Sequence, residues 1–194
     1  MKITSTKIGI IGLGYVGLPL ALEFSKKFPV VGFDINSSRV LDLQNGIDAT
    51  NEVEKSNLTK SANITFSSDV SALEDCNFYI VTVPTPITKN KRPDLGPLIS
   101  ASKTIARLLK RGDVVVYEST VYPGATEEDC VPILEKISGL SLNNDFHVGY
   151  SPERINPGDK SHRLPDIKKV TSGSNKKSAD FINQVYGKII TAGT

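Results

Sequence analysis

Short apolar runs rich in Val, Ile and Phe alternate with helical patterns along this chain. The runs predict strands at 7–12, 30–34, 63–67, 78–83, 113–118, 146–150 and 167–172, since segments of this length and composition are typical of buried strands. Strands that alternate regularly with helices form parallel sheets. We therefore expect an α/β fold, a doubly wound and mostly parallel sheet of Rossmann type with helices on both faces.

The helices are predicted between these strands. Residues 96–109 have apolar side chains at helical spacing, with Pro97 suited to the first turn. Thr126 is expected to cap the next helix, and Pro132 to kink that helix or delay its start, because proline lacks the backbone donor that a helix interior needs. The last helix is expected at about 174–188, with Phe181, Ile182 and Val185 facing inward.

Composition limits the classes of protein to consider. The 194 residues are 39% hydrophobic and 23% charged, as in a globular domain with a sizeable core. A net charge of +2, from 23 basic and 21 acidic side chains, gives no case for nucleic acid or a membrane surface as partner. No apolar run approaches the ~20 residues that span a bilayer, and no signal peptide is evident. We expect a cytoplasmic protein in which residues 1–194 form one domain.

Candidate nucleophiles and metal ligands are few. Cys76 and Cys130 are the only cysteines, and both lie in stretches where a buried, unreactive thiol is expected. His147 and His162 are the only histidines, and neither has the neighbours of a metal ligand. We predict no metal site.

Residues 7–34 carry the clearest chemical signal. An apolar strand leads into Gly12, Gly14 and Gly17, an apolar helix follows, and a second strand ends at Asp34. In this pattern the first glycine allows a tight turn, the second brings backbone against a pyrophosphate, and the third lets the helix pack close to the sheet. Asp34 lies 20 residues after Gly14, where a carboxylate accepts hydrogen bonds from the adenosine ribose. A glycine turn alone can be purely structural, but this context predicts a dinucleotide site.

The acid also favours NAD over NADP, because a carboxylate repels a ribose 2′-phosphate. Arg39 is an argument for NADP, since an arginine near this position could bind that phosphate. The alternative interpretation of Arg39 is a solvated residue on the helix that follows Ser37 and Ser38.

Three later strands end in loops with unusual polar residues. The loops read VPTP at 83–86, ESTVYPG at 118–124 and YSPERINPGDK at 150–160. Any one of them could be an ordinary turn. Because ligands bind beyond the carboxyl ends of parallel strands, three such loops on one sheet edge beside a dinucleotide turn predict an active site.

Together these segments resemble one known family. GLGYVGLPLA, FDIN, TVPTP, ESTVYPG and SPERINPGDK follow one another over nearly the whole chain, and the set is similar to the UDP-glucose/GDP-mannose dehydrogenases. The resemblance implies oxidation of C6 of a sugar nucleotide from alcohol to carboxylate with two NAD+, through a thiohemiacetal and a thioester on a cysteine. It also implies a homodimer for the complete chain.

The resemblance further implies roles for individual residues. Thr120 would hydrogen-bond the catalytic water or the reacting oxygen, beside the cofactor, and Glu153 would be the general base for thioester hydrolysis. A salt bridge between Glu153 and Arg154 is the alternative. Substrate contacts would come from Glu153, Arg154 and Asn156. The cofactor would meet Gly12, Gly14, Tyr15, Val16 and Gly17 at the pyrophosphate, Asp34 and Arg39 at the adenosine end, and Thr85 at its middle.

Two departures from the family pattern matter. Pro157 stands where members that oxidise UDP-glucose tend to have a second glutamate, as in SPEFLREG. With Arg154 and the HRL at 162–164, the stretch is more similar to the branch that acts on UDP-N-acetylhexosamines for bacterial capsule or O-antigen synthesis. This favours UDP-N-acetylglucosamine or UDP-N-acetylgalactosamine over UDP-N-acetylmannosamine and UDP-glucose.

The second departure is length. The GGHC-like motif with the family's catalytic cysteine does not occur in residues 1–194. We therefore expect an amino-terminal NAD-binding domain from a longer chain, without the central helix and the UDP-sugar-binding domain. Two other hypotheses stay open: a stand-alone dinucleotide-sensing module, and a dehydrogenase of the hydroxyacid or phosphogluconate type.

Overall fold

The structure is a computed structural model that describes residues 1–154 and 164–194. Its centre is one sheet of six parallel strands, which confirms the predicted doubly wound fold. The strands are β1 (Ile8–Ile11), β2 (Val30–Phe33), β3 (Ile64–Ser67), β4 (Phe78–Val81), β5 (Val114–Tyr117) and β6 (His147–Tyr150). Their order across the sheet is β3-β2-β1-β4-β5-β6, so the chain changes direction of winding between β1 and β4, where such folds hold their ligands.

Six α-helices connect and cover the strands in the described ranges. They are α1 (Gly17–Ser25), α2 (Ser37–Gln44), α3 (Lys55–Lys60), α4 (Gly96–Ala106), α5 (Val131–Ser138) and α6 (Lys176–Tyr186). Side-chain caps set two of the starts. Asn36 accepts from the amides of Ser38 and Arg39 at 3.1 and 3.2 Å before α2, and Asn175 forms a capping box with Ser178 at the start of α6.

Both faces of the sheet are buried. Successive residues of each strand point to opposite faces, so the strands contribute side chains to two hydrophobic clusters. Ile8 and Ile10 of β1 belong to a hydrophobic cluster that contains residues of α1 and α6. Ile11 belongs to a second cluster, which contains residues of α4 and α5. Continuous apolar strands are the expected consequence of helices on both faces. As predicted, Phe181 and Val185 face inward from α6.

The predicted strand at 167–172 is wrong. The amides of Ser172 and Ser174 donate to the carbonyls of Tyr150 and Val148 at 2.9 and 2.8 Å, so this stretch lies beside β6, but it forms no ladder with it. Earlier in the same stretch, the side chain of Lys169 is buried in an ion pair with Glu118. The segment is therefore held by two backbone hydrogen bonds to β6 and by the ion pair of Lys169.

Pro132 has the predicted effect on its helix. A π-helical turn spans Thr126–Cys130, and regular α-helix begins only at Val131, with Pro132 in its first turn. The prediction that Thr126 caps this helix is wrong. Ala125 occupies the cap position, and Thr126 is buried inside the first turn.

Candidate active site

A cleft of about 660 Å³ lies where the carboxyl ends of β1, β2, β4, β5 and β6 meet. It gathers most of the residues that the sequence singled out. Gly17, Arg39 and Arg154 are not among its lining residues, and Asn156, with Pro157 and His162, lies outside the described residues. The predicted site residues that line the cleft are Gly12, Gly14, Tyr15, Val16, Asp34, Thr85, Thr120 and Glu153.

The glycine turn forms the cleft wall between β1 and α1. Gly12 has φ +99°, a conformation that favours glycine. A Cβ on Gly17 would lie 1.9 Å from the carbonyl oxygen of Gly12 and 2.4 Å from Oγ1 of Thr82, so α1 packs directly on the turn and on the end of β4. A Cβ on Gly14 would meet nothing within 4 Å. The first and third glycines thus shape the turn, and the second leaves open space where a ligand could approach.

Several backbone N–H groups at this turn have no backbone acceptor among the described residues. In the described part of the chain, no backbone carbonyl accepts from the amides of Gly14, Tyr15 or Val16. These residues immediately precede the amino terminus of α1, where the helix dipole is positive. Free amides at the start of a helix form a site for an anion such as a pyrophosphate.

Asp34 stands at the end of β2 and organises the same wall. Its Oδ2 accepts from the amide of Leu13 at 2.8 Å, and its Oδ1 accepts from the amide of Asn36 at 2.9 Å. Each carboxylate oxygen has a second lone pair. The carboxylate therefore fixes the glycine turn and still has acceptor capacity for ribose hydroxyls.

Arg39 is not the solvated residue that the alternative interpretation described. Its side chain is 10% exposed and pairs with Asp48, with Nη2 and Oδ1 2.7 Å apart. Its Nε donates to the carbonyl of Leu13 at 2.9 Å. Burial of Asp48 opposes its charge, but hydrogen bonds from Thr50 and Arg39 outweigh this and hold the pKa of that carboxyl below its usual value. Asp48 thus neutralises the cation that could have received a 2′-phosphate.

Thr85 lies in the VPTP loop after β4. Its Oγ1 is buried and has no hydrogen-bond partner in the described ranges. Nearby, the hydroxyl of Ser119 donates to the carbonyl of Val83 at 2.6 Å and ties this loop to the end of β5. A buried hydroxyl without a hydrogen-bond partner is energetically costly. Because Thr85 lines the cleft, a ligand bound there could form the hydrogen bond that this hydroxyl lacks.

Glu153 reaches the cleft from the loop after β6, and its side chain is 10% exposed. The backbone amide of Arg154 donates to its Oε1 at 2.6 Å. The ammonium of Lys169 lies 3.7 Å from its Oε2. A carboxylate that opens to the cleft beside a buried cation can accept a proton from water. Thr120, exposed at the end of β5, faces the same cleft.

Sequence reasoning assigned no role to Glu118 or Lys169, which form a buried ion pair of 2.7 Å behind Glu153. Burial raises the pKa of the Glu118 carboxyl, and Lys169 opposes that effect. The phenol of Tyr186 donates to the other oxygen of Glu118. The one sequence signal was a lysine inside an otherwise strand-like run, which says nothing about a partner 51 residues away.

The two thiols lie away from the cleft. Cys76 and Cys130 are buried, as predicted, and burial raises the pKa of the Cys76 thiol to about 11. Among residues 1–154 and 164–194, no three His, Cys, Asp or Glu side chains gather where they could hold a metal ion. No helix in the same ranges has both the length and the apolar character needed to cross a bilayer.

Comparison with known proteins identifies the family to which this chain is similar. The family described as "UDP-glucose/GDP-mannose dehydrogenase family, NAD binding domain" matches residues 6–190. The chain is 59% identical to the UDP-N-acetyl-D-glucosamine 6-dehydrogenase of Salmonella typhi and 60% identical to that of Pseudomonas aeruginosa. These matches cover 99% and 97% of this chain but only 45% and 44% of the relatives. The chain therefore spans less than half the length of these relatives.

A solved structure has the same fold. The UDP-D-ManNAc dehydrogenase of Pyrococcus horikoshii aligns with a TM-score of 0.88 at 30% identity, over 97% of this chain and 46% of that one. The family match extends over nearly the whole chain, and the glycine turn, the acid after β2 and the cleft are all in place. The chain belongs to the UDP-glucose/GDP-mannose dehydrogenase family, as an NAD-binding domain.

Proposed function

We propose that this chain is the cofactor-binding half of an NAD-dependent dehydrogenase that oxidises C6 of a UDP-N-acetylhexosamine to the uronic acid, for capsule or O-antigen precursors. The observation that carries the proposal is the single cleft that joins a dinucleotide turn to Thr120 and Glu153. The remaining half, with a central helix, the catalytic cysteine and most of the sugar site, lies outside these residues.

The cleft suits the cofactor in several independent ways. The open space at Gly14 and the amides before α1 fit the pyrophosphate. Asp34 fits the adenosine ribose, and the buried hydroxyl of Thr85 fits the middle of the molecule. When bound, NAD+ supplies the acceptor for the hydride that leaves C6. Arg39, held by Asp48, supports the adenosine end from behind the turn.

Glu153 is the proposed base for the last chemical step. A water attacks the carbonyl of the thioester, and the carboxylate of Glu153 takes the proton that the water loses. The C–S bond then breaks, the sulfur leaves as thiolate, and the sugar carbon becomes a carboxylic acid. The hydroxyl of Thr120 donates a hydrogen bond to the water or to the reacting oxygen. The sulfur does not come from Cys76 or Cys130, since both are buried away from the cleft.

UDP-N-acetylglucosamine is the first candidate for the sugar, with UDP-N-acetylgalactosamine second. The two relatives named for the former are about twice as similar in sequence as the solved UDP-D-ManNAc dehydrogenase. We further expect the complete protein to be a cytoplasmic homodimer that binds neither nucleic acid nor membrane. The nearly balanced charge of this chain is consistent with that expectation.

The test uses the full-length protein that carries this chain. We expect NADH to form with UDP-N-acetylglucosamine at two equivalents per sugar, and more slowly or not at all with UDP-N-acetylmannosamine and UDP-glucose. Calorimetry on residues 1–194 with NAD and with NADP supplies the second arm. Cofactor binding without turnover of any UDP-sugar would favour the stand-alone dinucleotide module, and turnover of hydroxyacids alone would favour the other dehydrogenase class.

A further inference from the structure

Behind the candidate base lies a group of buried polar side chains that the proposed chemistry does not use. Lys169 is 1% exposed at its side chain, and Glu118 is fully buried. The ammonium lies 2.7 Å from Oε2 of Glu118 and 3.7 Å from Oε2 of Glu153. Tyr186 donates its phenol to the remaining oxygen of Glu118. One ammonium therefore faces two carboxylates, of which one is enclosed and the other opens to the cleft.

The two carboxylates have different surroundings. Glu118 has a short ion pair and a phenol donor, so each of its oxygens has a strong partner inside the protein. Glu153 has the longer contact to the same ammonium and an amide donor from Arg154. Burial of two like charges side by side is unfavourable unless a cation lies between them. Lys169 occupies that position.

The cation is rigidly supported. The amide of Lys169 donates to the carbonyl of Gly193 at 3.2 Å, which fixes the backbone at this point. Tyr186 belongs to α6, and its ring packs edge-on against Phe24 of α1, with centroids 5.4 Å apart. The distances within the group are therefore set by the core. A side chain held in this way can position a neighbour at the cleft.

We propose that Lys169 is the positioning residue for Glu153, placing its positive charge beside that carboxylate and aiming the carboxylate into the cleft, while Glu118 and Tyr186 hold Lys169. The inference deepens the proposed function and rests on it, since Glu153 acts there as the base. It divides the roles of the two acids in the cleft wall: Glu153 exchanges protons with water, and Glu118 is the fixed counter-ion of the lysine.

The pH dependence of hydrolysis tests this division. Among the described residues, the titratable groups that act on Glu153 include Lys169, Glu118 just after β5 and, beyond it, Tyr186 from α6. Removal of a cation 3.7 Å away makes the ionised carboxylate less favourable, by an amount that typically moves a titration by about one pH unit or more. A lysine that served only to stabilise the fold would leave the pH profile of the active enzyme unchanged.

The experiment uses the full-length protein. Lys169→Met alone would leave Glu118 buried without its cation and could prevent folding, so the test variant is the double mutant Lys169→Met/Glu118→Gln, which removes both charges at similar volume. We expect the acid limb of its kcat profile to move to higher pH by about one unit or more, with acyl-enzyme detectable by mass spectrometry. Glu118→Gln is the matched control, because Lys169 is then left with Glu153 alone.

In that control the acid limb is expected to stay at or below its wild-type position. Lys169→Arg, which keeps the charge, is expected to restore the profile in large part. A double mutant with the wild-type pH profile and no acyl-enzyme would overturn the role of Lys169. If the wild-type enzyme oxidises no UDP-sugar, the proposed function itself fails, and this outcome is recognised before any variant is compared.

Discussion

Gly14 and Gly17 offer a sharp test of the cofactor turn, because the same added methyl group meets opposite surroundings three residues apart. In Gly17→Ala the Cβ would lie 1.9 Å from a backbone oxygen of the turn, so either α1 or the turn must move. Overpacking of this kind costs about 1–3 kcal/mol, and alanine regains at most about 1 kcal/mol through helix propensity. We expect a clear loss in the free energy of unfolding.

Gly14→Ala places its Cβ in open space, and Gly14 is not among the glycines with positive φ. Its free energy of unfolding should stay within about 0.5 kcal/mol of wild type. The methyl group would nevertheless occupy the surface where the pyrophosphate is expected. Affinity for NAD should therefore fall about tenfold or more, which corresponds to about 1.4 kcal/mol.

Urea unfolding of residues 1–194 gives the stability of each variant, and calorimetric titration with NAD gives the affinity. We expect Gly17→Ala to lower the free energy of unfolding. We expect Gly14→Ala to lower the affinity for NAD while its free energy of unfolding stays unchanged. If Gly14→Ala binds NAD as wild type does, the pyrophosphate does not lie against this turn. If Gly17→Ala is as stable as wild type, the argument from close packing is refuted.

Three further predictions concern single carboxylates. Asp34→Ala should weaken NAD binding by about 1.5–3 kcal/mol, the scale of hydrogen bonds to a charged group, whereas Asp75→Ala, at a side chain 85% exposed, should leave calorimetric affinity unchanged; equal affinities would contradict the ribose assignment. Glu153→Gln in the full-length enzyme should slow thioester hydrolysis and accumulate an acyl-enzyme visible by mass spectrometry, and normal turnover without adduct would remove Glu153 as base. Burial raises the pKa of Asp113 from 3.8 to about 6, so its stabilising effect is present below pH 3.8 and is lost as the pH rises through about 6. In urea unfolding, Asp113→Asn should therefore be more stable than wild type above pH 6. The expected gain in the free energy of unfolding is up to about 3 kcal/mol, because the pKa of Asp113 is raised by about two units. A gain that is the same at pH 4 and at pH 8 would contradict this.

The sequence predicted the six strands of the sheet and their parallel arrangement because local composition determines them. Buried strands such as β4 and β5 are unbroken runs of β-branched and aromatic residues, and each lies between segments with helical spacing. The same local logic failed at 167–172, where Ile167 and Val170 suggested a short apolar run. There the side chain of Lys169 pairs with the buried carboxylate of Glu118, just after β5, and no local pattern contains that contact.

Arg39 shows the same limit at the cofactor turn. Its neighbours in sequence suggested an exposed helix residue or a phosphate ligand. Asp48, which follows α2, folds back on the arginine and removes it from solvent, while Nε bonds the carbonyl of Leu13. Position relative to a motif therefore predicted that Arg39 belongs to the adenosine end, but whether its guanidinium is available to a ligand depends on the contact with Asp48, which exists only in the fold.

Three acids line the cleft, and the sequence alone gives each a similar setting at the end of a strand. Their partners differ. Asp34 accepts hydrogen bonds from backbone amides of the turn, which fixes its position relative to a ligand on that turn. The side chain of Glu118 has no exposed surface and is held by Lys169 and Tyr186. The side chain of Glu153 is 10% exposed and lies at the cleft beside the Lys169 cation, and that combination suits a base that takes a proton from water and releases it again.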